Sequence, residues 1–227
     1  MQADAQAADD KTRIRPAATV ILLRQRAAGP EVLMGMRGAG AAFMPSKFVF
    51  PGGAVDPGDA AVPLARLPAP ACQKRLDQAE PGARALAAAA IRELWEETGL
   101  PLGLPGAWQA PADWQGFADR GLQPDASGLR FVFRAITPPG RPRRFDARFF
   151  LADAERVTGD IEDFSGACDE LSHLHWLPLS EARRLDLPFI TEVVLAEVSA
   201  LLRGDSDGTG VPFFDNSGTV PTFRRLG

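Results

Sequence analysis

The segment Ala83–Gly99 constrains the fold more than any other part of the chain. It reads ARALAAAAIRELWEETG, is rich in strong helix formers, and follows the pair Pro81-Gly82. These features predict one helix over residues 83–98, with Gly99 as the glycine that ends it. Apolar residues recur at helical spacing along one side, so we expect that side to pack against the rest of the domain.

Three carboxylates, those of Glu93, Glu96 and Glu97, lie in the last two turns of this predicted helix. Their i, i+3, i+4 spacing gathers them into one patch, and Glu97 lies at the edge of the apolar side. Like charges at this spacing repel one another, and the helix dipole disfavours anions at this end. A bound divalent cation would explain the arrangement, because Mg²⁺ prefers oxygen ligands. The alternative is a solvated acidic face with Arg92 as its partner.

Short apolar and β-branched runs, separated by turn residues, predict strands on both sides of the helix. The predicted strands cover 17–24, 31–37, 48–50, 129–136, 144–152 and 172–177, and further helices are predicted at 180–185 and 190–203. The strand 144–152 alternates apolar and charged residues, which predicts a half-buried strand. Residues 102–128 read as loop or short helix. We therefore expect a single α/β domain over 15–203, a mobile N-terminal tail at 1–14 and a C-terminal tail at 204–227.

The predicted strand at 48–50 ends in Pro51-Gly52-Gly53. Glycines at such a turn let a backbone carbonyl come close to a ligand or a metal. The proline-rich stretch that follows, at about 60–82, has no long apolar run. We expect it to be a surface element that shapes access to the site and does not belong to the core.

At this point the chain resembles a known family. Residues Arg92–Leu100, RELWEETGL, match the second half of the Nudix box, G-x(5)-E-x(7)-R-E-U-x-E-E-x-G-U. Gly53 is similar to its opening glycine, and Asp59 stands where the motif has its first Glu. The spacing departs from the motif, because Arg92 follows Gly53 by 39 positions instead of 14. This places an insertion at about 60–82, and lengthening a loop is thermodynamically mild.

The resemblance, which extends over roughly 15–203, implies a Nudix-type mixed β-sheet sandwiched between helices. It also implies a pyrophosphohydrolase that needs Mg²⁺ or Mn²⁺ and cleaves a diphosphate bond in a nucleoside diphosphate derivative. The implied metal ligands are Glu93, Glu96, Glu97 and the backbone of Gly52. The implied catalytic residues are Glu93, Glu96, Arg92, which orients a catalytic Glu, and Glu170, an acid ahead of the last predicted strand.

The substrate is less well specified. The stretch LMGMRGAGAAFMPSKFVFPGG is similar to the signature of coenzyme A diphosphatases, with Arg37 placed 13 residues before Phe50, although the second Arg of that signature is missing. CoA or an acyl-CoA is therefore one candidate. ADP-ribose, NADH and nucleotide sugars are the alternatives, as is a non-catalytic Nudix-fold binding or regulatory module.

The candidate substrate contacts are three arginines, since arginine is well suited to binding phosphate. They are Arg37, Arg144 and Arg148. For the cluster around Arg144 and Arg148, the alternative is a solvated strand face paired with Asp146.

The formal net charge of −4 gives no basic footprint for duplex nucleic acid. Residues 1–16 are polar, no apolar stretch of the sequence is long enough to span a bilayer, and two cysteines are too few for a disulfide framework. We therefore expect a cytoplasmic protein with a small-molecule substrate and no membrane or nucleic-acid partner. A homodimer is compatible with the resemblance, because dimers are common in the family.

Overall fold

The computed structural model describes residues 13–41, 43–205 and 210–227. The tail expected at 1–14 lies outside these ranges except for its last two residues. The described strands are β1 (Ile14–Arg26), β2 (Gly29–Arg37), β3 (Phe48–Val49), β4 (Gly52–Ala54), β5 (Gly103–Pro105), β6 (Leu122–Pro124), β7 (Arg130–Ile136), β8 (Arg144–Asp153), β9 (Leu171–Pro178), β10 (Val211–Asp215) and β11 (Thr222–Leu226). The described α-helices are α1 (Pro70–Leu76), α2 (Ala83–Thr98), α3 (Gln115–Asp119), α4 (Leu179–Ala182) and α5 (Phe189–Arg203). Short 3₁₀ segments cover Asp59–Ala61, Ala112–Trp114 and Ala154–Arg156.

Strand β1 lies at the centre of a mixed sheet with the order β11-β10-β7-β8-β1-β2-β3, to which β4 and β9 are added by pairing with β1 and β2. On one side, β1 runs parallel to β8 along its residues Ile14–Leu23. On the other side, its second half pairs with β2 and its first half pairs with β4. The two antiparallel partners of β1 therefore follow one another along the same edge. This arrangement brings the Gly52-Gly53 turn beside the middle of the central strand.

Each face of the sheet carries a hydrophobic core. Alternate residues of β1, such as Val20 and Leu22, pack with α2 on one face, while Ile21 and Leu23 pack with α5 on the other. Helix α2 buries a long alanine-rich side, and α5 buries Val194, Leu195 and Val198. The predicted class, a mixed β-sheet between helices, is confirmed. None of the helices in the described ranges is long and apolar enough to cross a membrane.

The C-terminal residues differ from the expectation of a tail. Strands β10 and β11 form a hairpin, and β10 adds to the sheet in parallel with β7. Phe213 is fully buried in the core on the α2 face. Burial of this side chain stabilises the packing of the hairpin against the sheet. Strands β5 and β6, which are three residues each and contain prolines, were also not predicted, because their run is too short to give an alternating pattern.

The insertion contributes to the core, so the expectation of a surface element was wrong. Val62, Cys72 and Leu76 are buried in the cluster that surrounds α2. Asp77, which follows α1, accepts a hydrogen bond from the backbone N–H of Ala83 at 2.7 Å and so caps the start of α2. The inserted segment therefore supports the helix that carries the carboxylates.

Strand β8 has the predicted alternation of faces, but it is not half-buried. Arg144 and Arg148, on the face that was expected to be solvated, are both buried. Their polar groups are satisfied inside the protein, as described below, because the α2 side of the sheet is covered along this strand as well.

Candidate active site

Helix α2 ends as its sequence predicts, and the end of the helix positions a loop. Gly99 adopts a left-handed conformation with φ of 75°, and its N–H donates to the Trp95 carbonyl. A Cβ at this glycine would lie 3.1 Å from the backbone of Gly166, so the loop before β9 passes directly over the helix end. In the same loop, the N–H of Cys168 donates to the Glu96 carbonyl at 2.8 Å. Glu170 is thereby held at the carboxylate-bearing end of α2.

The two glycines of β4 bring backbone into contact with the helix carboxylates. The Gly52 N–H donates to Glu97 Oε2 at 2.7 Å. A Cβ at Gly53 would lie only 2.4 Å from Glu93 Oε2, so no larger residue fits there without displacing that side chain. The Gly-Gly turn is required because α2 packs its acidic patch directly against it.

Two of the three helix carboxylates are withdrawn from water. Glu97 is 1% exposed, and its Oε1 has no hydrogen-bond partner. Burial raises the pKa of Glu97 well above its usual value, and the nearby charges of Glu93 and Glu170 raise it further. Burial raises the pKa of Glu93 to about 7, although Arg92 opposes the shift. Burial also raises the pKa of Glu96, which is more open to solvent.

Arg92 connects the helix to the residues after the Gly-Gly turn. Its Nε and Nη2 each donate to one oxygen of Asp59 at 3.1 Å, and its Nη2 also donates to the Ala54 carbonyl. Its Nη1 donates to Glu93 Oε1 at 2.9 Å and to Glu96 Oε2 at 3.2 Å. The pairing inside the box is therefore made with Asp59, which is 2% exposed, despite the insertion that separates the two residues in sequence.

Arg37 and Glu170, which were expected to have separate roles, are paired. The Nη2 of Arg37 donates to Glu170 Oε1 at 2.6 Å. The Nε of Arg37 is buried without a partner, and the Arg37 charge lowers the pKa of Glu97 against the effect of burial. No sequence pattern indicates this pair, because it depends on the pairing of β2 with β9, in which Arg37 stands opposite Leu171.

Arg144 and Arg148 are held by protein groups. Arg144 donates to the carbonyls of Thr137 and Asn216, and Arg148 forms an ion pair with Asp146 at 2.9 Å and also approaches the Glu80 carbonyl. Neither guanidinium is available to a phosphate, so the expected substrate contacts at these two positions are corrected to structural ones. The alternative of a solvated face fails as well, because both side chains are buried.

The acidic patch fits a divalent cation in its chemistry. Its carboxylate oxygens are of the kind that Mg²⁺ and Mn²⁺ bind, and Glu97 Oε1 is a buried acceptor that still lacks a partner. Within the part of the chain that the structure describes, no three such side chains are gathered into a finished metal site. Arg92 holds Glu93 Oε1 and Glu96 Oε2, so the second oxygen of each of these carboxylates would be the one to bind a cation.

A mixed sheet between helices, with an acidic helix end against a Gly-Gly turn, defines an α/β protein with a candidate active site at the end of α2. The sequence model of the NUDIX domain matches residues 77–198, which is more than half of the chain. The chain belongs to the Nudix family. The matched range includes the acidic helix but begins after Gly53 and Asp59. The family model therefore does not cover the first half of the box, and the support for Asp59 comes from its hydrogen bonds with Arg92.

Two relatives show how far the similarity extends. The crystal structure of a NUDIX hydrolase from Alicyclobacillus acidocaldarius has a TM-score of 0.62 and 28% identity, covering 86% of this chain and 96% of that one. Nudix hydrolase 7 of Caenorhabditis elegans is 31% identical over 182 residues, which are 74% of this chain and 52% of the relative. The chain thus spans about half the length of this curated relative.

Proposed function

We propose that the chain hydrolyses the diphosphate bond of a nucleoside diphosphate derivative and depends on Mg²⁺ or Mn²⁺. The observation that carries the proposal is the buried Glu97 carboxylate, which keeps one oxygen without a partner beside a second carboxylate, that of the partly buried Glu93. The unpartnered oxygen of Glu97 lowers the stability of the fold, because burying a charged group without full compensation is unfavourable. A cation would supply the compensation.

In this proposal Glu93, Glu96, Glu97 and the backbone of Gly52 hold the cation. When bound, it supplies positive charge that neutralises the diphosphate. Arg92 orients the carboxylates of Glu93 and Glu96 through the two hydrogen bonds of its Nη1.

Glu170 accepts the proton of the attacking water, since a general base must lie within reach of the site and this carboxylate is held over it. The water oxygen forms a bond to phosphorus as the bond from phosphorus to the bridging oxygen breaks. The bridging oxygen leaves with the second product. Arg37 acts in this scheme by holding Glu170, and the expected role of Arg37 as a substrate contact becomes secondary.

Within this class, CoA or an acyl-CoA is the specific substrate that we propose, on the similarity of the segment between β2 and Phe50 to the CoA diphosphatase signature. ADP-ribose, NADH and nucleotide sugars are the competing substrates. The two cysteines are free, which supports a reducing compartment such as the cytoplasm as part of the proposal. A homodimer is a further element that light scattering would test.

The test is a panel of CoA, acyl-CoA, ADP-ribose, NADH and nucleotide sugars, each with and without Mg²⁺ or Mn²⁺. The matched variants are Glu97→Gln and Glu181→Gln, which remove one carboxylate at the site and one exposed carboxylate on α4. We expect cation-dependent turnover that only Glu97→Gln abolishes. Nucleotide binding without any turnover would favour the non-catalytic module, and turnover without divalent cations would refute the metal assignment.

A further inference from the structure

Four arginines cluster where β1 and β8 begin. The two strands are parallel, so Ile14 stands beside Arg144 and Arg15 beside Phe145. Arg13 and Arg143 directly precede these pairs, and Arg141 lies in the turn that leads into β8. All four of these arginines are exposed, and within the described residues none of them forms an ion pair or a side-chain hydrogen bond. We call this group, Arg13, Arg15, Arg141 and Arg143, the arginine edge.

Among the described residues, no acid is paired with the arginine edge, which is a positive region on a chain of net negative charge. The neighbouring acid on β8, Asp146, is already paired with Arg134 and Arg148. Positive charge of this kind attracts anions, and arginine binds phosphate in a bidentate manner. The formal net charge of the whole chain, −4, does not reveal this local positive charge.

The arginine edge is connected to the candidate active site by the strands themselves. Strand β4 runs antiparallel to the same part of β1, with Gly53 opposite Ala18 and Ala54 opposite Ala17, and the Val55 N–H donates to the Pro16 carbonyl. Arg15 lies three positions along β1 from Ala18. At about 3.3 Å per residue, the backbone of Arg15 is therefore about 10 Å from that of Ala18, the partner of Gly53.

The surface between the arginine edge and the Gly52-Gly53 turn is partly exposed to solvent and carries a pair of aromatic rings. Arg15 and Thr19 share one face of β1 with Phe145 and Ala147 of β8, and Thr19, Phe145 and Ala147 are only half-buried. Phe43, from the segment after β2, packs edge-on against Phe145 with 5.2 Å between ring centroids. At the other end of this surface, the hydroxyl of Thr19 lies beside Gly52.

We propose that the arginine edge is a second anion subsite, which binds a phosphate group that the substrate carries in addition to the diphosphate to be cleaved, with the base lying on Phe43 and Phe145. This inference rests on the proposed function and narrows it to nucleoside diphosphate derivatives with an additional phosphate on the ribose. It assigns that phosphate to residues other than Arg37, whose guanidinium is engaged by Glu170.

Binding of a substrate fragment separates this inference from catalysis. The probes are adenosine 3′,5′-bisphosphate and adenosine 5′-monophosphate, measured by calorimetry without divalent cations. We expect the bisphosphate to bind more tightly. Arg15→Ala and Arg143→Ala should each weaken it by about tenfold, as expected for the loss of one charge-assisted contact, and should leave the monophosphate unchanged. The control is Arg183→Ala, which removes an exposed arginine at the end of α4 and should change neither affinity.

Equal affinity for the two probes, or a bisphosphate affinity that Arg15→Ala and Arg143→Ala leave unchanged, would overturn the subsite. Tighter binding of a single-stranded oligonucleotide than of the bisphosphate, with a strong salt dependence, would overturn it in favour of a nucleic-acid surface. Kinetics add a second readout, because the two variants should lower kcat/KM for CoA more than for dephospho-CoA. If no diphosphate is hydrolysed at all, the proposed function fails while the calorimetric result still decides the subsite.

Discussion

Replacing Asp59 by alanine should lower the free energy of unfolding by about 3 kcal/mol, because the change leaves the Arg92 guanidinium without its bidentate partner. Both residues are buried, at 2% and 5% exposure, and two hydrogen bonds of 3.1 Å join them. Removing one member of a buried ion pair generally costs about 3–5 kcal/mol. We expect the lower end of that range, since Glu93, Glu96 and the Ala54 carbonyl still contact Arg92.

The structure provides a matched control in Asp56, another carboxylate near the same arginine. Its Oδ2 lies 3.6 Å from Arg92 Nη2, but its side chain is 54% exposed, so Asp56→Ala should cost less than about 1 kcal/mol. Urea denaturation without divalent cations measures both changes. In thermal unfolding, a loss of about 3 kcal/mol corresponds to a Tm lower by about 6–12 °C for a chain of this size.

Similar small losses in Asp56→Ala and Asp59→Ala would refute this reasoning and would remove Asp59 from the first acidic position of the box. Asp59→Glu supplies an independent check. It restores the residue that the motif has, but it adds a methylene group to a site already closed around Asp59. Overpacking of this kind typically costs about 1–3 kcal/mol, so the motif residue should be the less stable one here.

Four further predictions concern the carboxylates, the insertion and the Arg37 pair. Glu97→Gln should lower kcat by at least about a hundredfold and raise the Tm of the cation-free protein, and calorimetry should show weaker Mn²⁺ binding. A carboxyl whose pKa is raised in the folded state destabilises the fold as it ionises. Because the pKa of Glu93 is raised to about 7, the cation-free protein should lose stability between about pH 4.5 and about pH 7. Adding Mg²⁺ should restore the lost stability, and Glu93→Gln should reduce the loss. Leu76→Ala should cost about 2–4 kcal/mol in urea unfolding, whereas a surface insertion would give almost no change. Arg37→Ala should lower kcat equally on CoA and dephospho-CoA and have no further effect in a Glu170→Gln background; additive losses would show that Arg37 acts independently of Glu170.

Features set by local physics were predictable from the sequence. The helix 83–98 and its terminal Gly99 follow from composition, spacing and the special conformation of glycine, and the structure has the same bounds. The hairpin of β1 and β2 also follows from two apolar runs around a short turn. The acidic patch was visible for the same reason, since residues three and four apart in a helix are always neighbours.

Features set by pairing between distant segments were not predictable. The burial of Arg144 and Arg148 depends on what covers β8, and the hairpin of β10 and β11 depends on an open edge at β7. The exposed residues at the starts of β1 and β8 meet only because the two strands are parallel and in register. Alternation along one strand shows which residues share a face, but it does not show what lies over that face.

The position of β1 in the sheet has a consequence for biosynthesis. Its parallel partner β8 follows 130 positions later, as the pairing of Ile14 with Arg144 shows. During translation, the hairpin of β1 and β2 therefore emerges with apolar residues on both faces and an unpaired edge, while the strand that closes that edge has yet to be made. At about 5–20 residues per second, this interval lasts many seconds. Slower synthesis at a given temperature prolongs the exposure, so the yield of folded protein should depend on chaperones that shield nascent strands more than on the final stability of the domain.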